Sequence, residues 1–260
     1  MLLFVLLRRG AGSLRVVRRD LLFLFPLGIL GIGAFYWLYF FTVRESTVGT
    51  AAILLYSSPA FVALLAWIFL NETLGLLRLL ALTLTFGGIF LVVGGYDPGT
   101  LEVSPLVLTA GLLSGLTYGL YSIFGKPMAG HLEPAVILSY ALGFGSLLLV
   151  LAALPTFYTL VGLSSRSYAL LFMLAVMHTA LAFGLYTVGL KRLDAGQAAI
   201  VATVEPVVAG AIGVVLLGEK LTALKGIGAL LVLAGAALAQ VSLEKASPDG
   251  TGPRGPSHPR

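Results

Sequence analysis

The feature that most constrains this chain is a succession of apolar stretches, each about as long as a bilayer's hydrocarbon layer is thick. A helix crossing about 30 Å of hydrocarbon needs roughly 20 apolar residues. Eight stretches meet that length, at about 20–41, 48–70, 76–95, 103–124, 134–155, 167–190, 195–217 and 222–241. Residues 1–7 form a ninth, too short to span. The runs are continuous and rich in Leu, Ala and Gly, without the apolar-out, polar-in alternation of a membrane β-barrel. They predict an all-α polytopic membrane protein. Composition agrees: 58% of residues are hydrophobic and 10% charged, against about 25% charged in soluble domains. Too few charges are present to clothe a water-facing surface, which argues against a cytosolic enzyme, a nucleic-acid-binding domain or a disordered chain.

With no cysteine, disulfide frameworks, thiolate metal sites and Cys nucleophiles are ruled out. The start, MLLFVLLRRG, lacks the order of a signal peptide, because its apolar run precedes its basic residues. The tail 247–260 (SPDGTGPRGPSHPR) is polar and rich in Pro and Gly, and is expected to be a disordered cytoplasmic tail. If the segment before the first full span is cytoplasmic, twelve of the sixteen Lys and Arg residues fall inside. The four outside are Arg44, Arg166, Lys220 and Lys225. This bias predicts both termini on the cytoplasmic side of the cell membrane. The net charge of +5 is thereby read as a topology signal, with no nucleic-acid partner implied.

The chain also repeats itself. At a constant separation of 147 residues, Gly49 matches Gly196, Ala51 and Ala52 match Ala198 and Ala199, and Pro59 matches Pro206. Glu72 then matches Glu219, and Gly88 matches Gly235. Five spans per copy invert the second relative to the first. Inverted repeats are a hallmark of secondary transporters, whose site lies near the midplane between the copies. The first copy, 1–95, holds three spans and the stub. The second, 103–242, holds five. Counting back by 147 predicts a ten-span protein lacking its first span and most of its second, through either an upstream start or a truncated gene.

The block S-P-x-F-V-A-L-L-A-W-I-F-L-N-E-T-L beginning at Ser58 recurs as E-P-V-V-A-G-A-I-G-V-V-L-L-G-E-K-L beginning at Glu205. This pair, each followed by a Gly-containing span, resembles the EamA-type transporters of the drug/metabolite transporter superfamily over about residues 1–243. The resemblance implies ten spans in two inverted five-helix copies, cytoplasmic termini and export of metabolites or drugs.

Several side chains carry the chemistry. Glu205 is the one carboxylate deep within a span, where Asp-like charge costs about 2.5–3.5 kcal/mol. It reads as a proton- or substrate-binding group, or as a protonated acid bonded to carbonyls freed around Pro206. His178 lies at similar depth and either shares a proton with Glu205 or stays neutral beside a hydroxyl. Tyr36, Tyr39, Tyr118, Tyr121, Tyr140 and Tyr186, with Ser58, Ser114 and Thr203, are candidates for lining a cavity. Pro59 and Pro206 are expected to kink their helices as hinges. Gly111, Gly115 and Gly119 share a face and read as close helix packing. Glu72 and Glu219 read as caps of the helices that follow them.

These features predict a carrier that moves a small metabolite or amphipathic compound by alternating access, embedded in lipid and with proton coupling through Glu205. No cofactor or metal is implied. The oligomeric state is not legible. P-loop, H-E-x-x-H and G-x-S-x-G motifs do not occur. The alternatives are an intramembrane enzyme on a lipid-linked substrate, whose polar residues would converge at one membrane face, and a non-transporting truncated remnant.

Overall fold

The computed structural model describes residues 16–92, 94–96, 104–160, 162–217 and 222–246. The stub at 1–7, Glu219 and the tail 247–260 lie outside them. Among the described residues all regular structure is helical. The helices are α1 (Arg18–Glu45), α2 (Val48–Leu55), α3 (Ser58–Phe69), α4 (Leu76–Val92), α5 (Pro105–Ala129), α6 (Pro134–Ala153), α7 (Ser165–Leu190), α8 (Ala195–Ala202), α9 (Glu205–Leu217) and α10 (Ala223–Ala246). With α2/α3 and α8/α9 counted as one broken span each, they coincide with the eight expected crossings, and the chain is an all-α, multi-pass membrane protein. Lipid offers the backbone no hydrogen-bond partner, so each apolar run satisfies its own amides by coiling. Ser104, Ser164 and Thr47 start α5, α7 and α2 by accepting a backbone N–H with their side chains. Pro105 and Pro134 stand at first helical positions, where the missing N–H is harmless.

The repeat is visible helix by helix. Spans start at 18 and 165, half-helices at 48 and 195 and at 58 and 205, and the following helices at 76 and 223. Every pair is 147 apart. Even a local irregularity repeats: α1 winds as a π-helix over Ile29–Ala34, and α7 does so over Leu174–Leu181.

Packing reveals how the copies are related. A methyl group on Gly88 of α4 would lie 2.6 Å from Gly228 O and 2.7 Å from Val232 N of α10. One on Gly235 of α10 would lie 2.8 Å from Ala81 O and 3.1 Å from Thr85 N of α4. Gly235, Gly228 and Val232 are the 147-residue counterparts of Gly88, Ala81 and Thr85. Each glycine therefore meets the partner's copy of what the other meets, along two helices running in opposite directions. That is the signature of a pseudo-two-fold axis perpendicular to the spans, as in an inverted repeat.

The glycine face of α5 packs as expected against the first broken span. Gly111 abuts Leu54, Gly115 abuts Ser57 Oγ and the Leu54 carbonyl, and Gly119 abuts Val62. On the other side α1 is pressed into α5 and α6, with Gly31 against Tyr121 and Gly28 against Phe144. α7 is the exception. It buries 6% of its most apolar window, against 56% for α5.

Candidate functional site

Both broken spans interrupt at corresponding places, just where a continuous helix would meet a proline that cannot donate to the carbonyl four residues back. Tyr56 and Ser57 leave the helix before Ser58–Pro59, and Thr203 and Val204 leave it before Glu205–Pro206. Each expected bend takes the form of a break into two half-helices, with the proline in the first turn of the second, where its absent N–H breaks no bond. Local hydroxyls satisfy the carbonyls released at the breaks: Ser57 Oγ donates to Leu54 O, and Thr203 Oγ1 donates to Ile200 O.

This break places Glu205 as the first residue of α9. Its carboxylate sits at the positive end of a half-helix dipole, which favours negative charge. It has no hydrogen-bond or ion-pair partner among the described residues. Instead the carboxylate faces a cavity of about 390 Å³. Eight of the fifteen lining residues are aromatic. Six of the expected residues line it: Tyr36, Tyr39, Tyr118, His178, Tyr186 and Glu205. No bond joins His178 to Glu205 among the described residues.

The other candidates lie elsewhere. Ser114 is fully buried and donates to Gly111 O. Tyr121 is buried and shares a 2.7 Å hydrogen bond with Thr187. Ser58 is buried against Gly119. Thr203 is consumed in its break, and Tyr140 packs on Phe144 at 6.0 Å. Polar side chains within a span often return to their own helix or pair inside the bundle, and sequence depth alone does not reveal which do. Tyr56, a deep tyrosine at the first break, joins the lining, as do Phe35, Phe40 and Phe183, which carried no polar signal.

The rings form a connected wall. Phe35 lies 4.9 Å from Tyr118 and 4.7 Å from Tyr36, and Phe183 lies 6.1 Å from Tyr118. Tyr186 is fixed by a 2.7 Å bond to Ser122, and Tyr36 by a 3.0 Å bond to Thr179 of α7. Beyond Tyr36, Phe40, Leu174 and His178 the cavity adjoins a larger, mostly apolar cleft of about 800 Å³ between α1, α6 and α7.

The opposite end of the bundle carries a cluster of charges. Arg78 donates to Glu72 at 3.0 Å and to Asp194 at 3.0 Å, with 5% of the Arg78 side chain and 6% of the Glu72 side chain exposed. Glu72 also accepts the backbone N–H groups of Ala195 and Gly196. The expectation that Glu72 caps its following helix is therefore corrected: it caps α8, in the other repeat. Nearby, Lys126 donates to the Leu190 and Leu193 carbonyls, and His131 Nε2 stands 3.0 Å from Asp20. This polar cluster gathers the starts of α1, α4 and α8 and the ends of α5 and α7. The cavity, by contrast, draws on the later half of α1, the two breaks and the middle of α7.

An inverted repeat with paired broken spans around a cavity is the architecture of a membrane carrier. The chain belongs to the EamA-like transporter family, which matches residues 1–94 and 105–240. An "uncharacterized transporter" of Archaeoglobus fulgidus is 32% identical over 215 residues, 81% of this chain and 75% of that protein. The "uncharacterized inner membrane transporter YicL" of Salmonella typhimurium is 28% identical over 222 residues, 83% of this chain and 72% of that protein. A solved crystal structure shares the fold with a TM-score of 0.75 at 18% identity, covering 94% of this chain and 83% of that one.

Proposed function

We propose that this membrane transporter carries a small metabolite or amphipathic compound across the cytoplasmic membrane by alternating access, exporting it, with both termini in the cytoplasm. Glu205 carries this reading: an unpaired carboxylate at a half-helix end, in an aromatic cavity between two pseudo-symmetric copies. With the basic loops inside, the Glu72–Arg78–Asp194 cluster is the closed cytoplasmic side, and the cavity faces outward. Moving the substrate then requires breaking that cluster and closing the aromatic end, one copy rocking against the other. Proton coupling runs through Glu205, whose protonation state sets the charge offered to the substrate.

The absence of cysteine makes the test direct. Single cysteines are placed at Ala52 and Ala202, both on the cavity wall. In intact cells both should react with a membrane-impermeant maleimide added outside, and a transported substrate should slow the reaction. Labelling only from the cytoplasmic side would overturn the assigned orientation. The intramembrane-enzyme alternative calls for acidic or basic residues converging at one membrane face. Glu72, Arg78 and Asp194 converge at a face, but they are engaged with one another and with the α8 backbone.

A further inference from the structure

We propose that the cavity is a binding site for a compact organic cation, a quaternary ammonium or a protonated amine, held by Glu205 and surrounding tyrosine and phenylalanine rings; the proposal rests on the carrier reading and assigns its substrate class. Three observations support it. First, charge is one-sided. Among the described residues, Glu205 is the sole acidic side chain lining the cavity, neither Lys nor Arg lines it, and His178 is the one other titratable group there besides the tyrosines. Glu205 is exposed to the cavity and has no partner among the described residues, so its charge is free to attract a cation.

Second, the wall is aromatic. Eight of the lining residues carry rings, and ring faces attract cations by about 0.5–2 kcal/mol each, more as water is excluded. Such a wall suits an alkylated ammonium, which cannot satisfy oriented acceptors but packs well against π faces. An anion would meet Glu205 and ring faces together, both repulsive. A neutral aromatic would leave the carboxylate without a counter-charge.

Third, phenols share the cavity wall with the charge. Tyr36, Tyr39, Tyr56 and Tyr118 line it together with Glu205. Tyr39, Tyr56 and Tyr118 have no hydrogen-bond partner among the described residues, so their hydroxyls remain available to a primary ammonium. The volume, about 390 Å³, lies at the small end of ligand pockets, consistent with a cation carrying one ring or a short chain.

The test measures binding apart from transport. The purified full chain in nanodiscs is dialysed against radiolabelled benzyltrimethylammonium, its uncharged carbon isostere neopentylbenzene, and the anion phenylmethanesulfonate. The cation is expected to bind at least tenfold more tightly than either of the others. Glu205→Gln should weaken cation binding at least tenfold, and Glu205→Asp should retain most of it. Tyr118→Phe should retain binding through its ring, whereas Tyr118→Ala should lose it several-fold. Equal binding of cation and isostere, or no loss in a well-folded Glu205→Gln protein, overturns the proposal. So does absence of cation binding in protein whose proteoliposomes carry a neutral or anionic solute, an outcome that leaves the carrier reading standing. The expected binding profile in protein that moves no solute supports the site and sinks the carrier reading.

Discussion

Arg78 and Asp194 meet at 3.0 Å across 116 residues of chain, joining the first repeat to the second at the charged end of the bundle. Around this contact Glu72 is almost fully enclosed, and it serves two backbone donors of α8 besides Arg78. Such a cluster holds two bodies in one relative orientation, and it breaks as a unit. Removing its central cation leaves a buried carboxylate without a counter-charge.

Arg78→Gln is accordingly expected to destabilise the protein by about 3–5 kcal/mol, the range for breaking a buried pair. Asp194→Asn should cost less than about 1 kcal/mol, as for exposed pairs, because 41% of its side chain is exposed. Thermal unfolding followed by tryptophan fluorescence in detergent measures both. A smaller loss for Arg78→Gln than for Asp194→Asn would contradict the geometry.

The pseudo-dyad predicts paired effects. A methyl at Gly88 or at Gly235 runs into backbone atoms of the facing helix, which cannot swing aside as a side-chain tip can. Gly88→Ala and Gly235→Ala should each cost about 1–3 kcal/mol. Their double variant should lose less than the sum, since either methyl already separates α4 from α10. Melting temperatures of the two single variants and the double variant decide it.

Pro59 and Pro206 act on conformation more than on stability. Each occupies a helix first turn, so replacement by Ala forfeits no packing-critical hydrogen bond and should change stability by less than about 1 kcal/mol. Alanine does, however, let the preceding residues become helical. Pro206→Ala is expected to slow transport in proteoliposomes while the melting temperature stays near that of the parent.

Glu205→Gln keeps the shape of the site and removes its charge. With Glu205 as the coupling residue, uptake driven by an imposed pH gradient should disappear, and exchange of substrate should fall in step with the loss of binding. Gradient-driven uptake equal to that of the parent would show that protons couple elsewhere.

Tyr36 and Thr179 share the hydrogen bond that ties α1 to the weakly packed part of α7. Tyr36→Phe deletes it at a net cost of about 1 kcal/mol. Hydrogen exchange over residues 174–181 should then speed up roughly fivefold, with α5 unchanged.

Much of this protein is local in origin and is written along the chain. Span length, the need to satisfy backbone amides in lipid and the 147-residue period are properties of contiguous residues, so the crossings and the inverted copies could be read before any coordinates. The glycine stripe 111–115–119 was legible for the same reason. Other features depended on partners distant in sequence. Glu72 caps a helix 123 residues away, and nothing within its own loop points there. The π-segments in α1 and α7 rotate every side chain that follows, so a 3.6-residue period could not say that Tyr36, Tyr39 and Phe183 would face one cavity. Nor could depth separate Ser114, turned back on its own helix, from Tyr118, about one turn further on. The sequence alone determined how many times the chain crosses the membrane and that it does so twice in the same pattern, because hydrophobic length is a one-dimensional quantity. Only the tertiary structure decided which polar groups meet around Glu205 and which cluster at the other end, because facing and pairing depend on how the helices rotate and lean against one another.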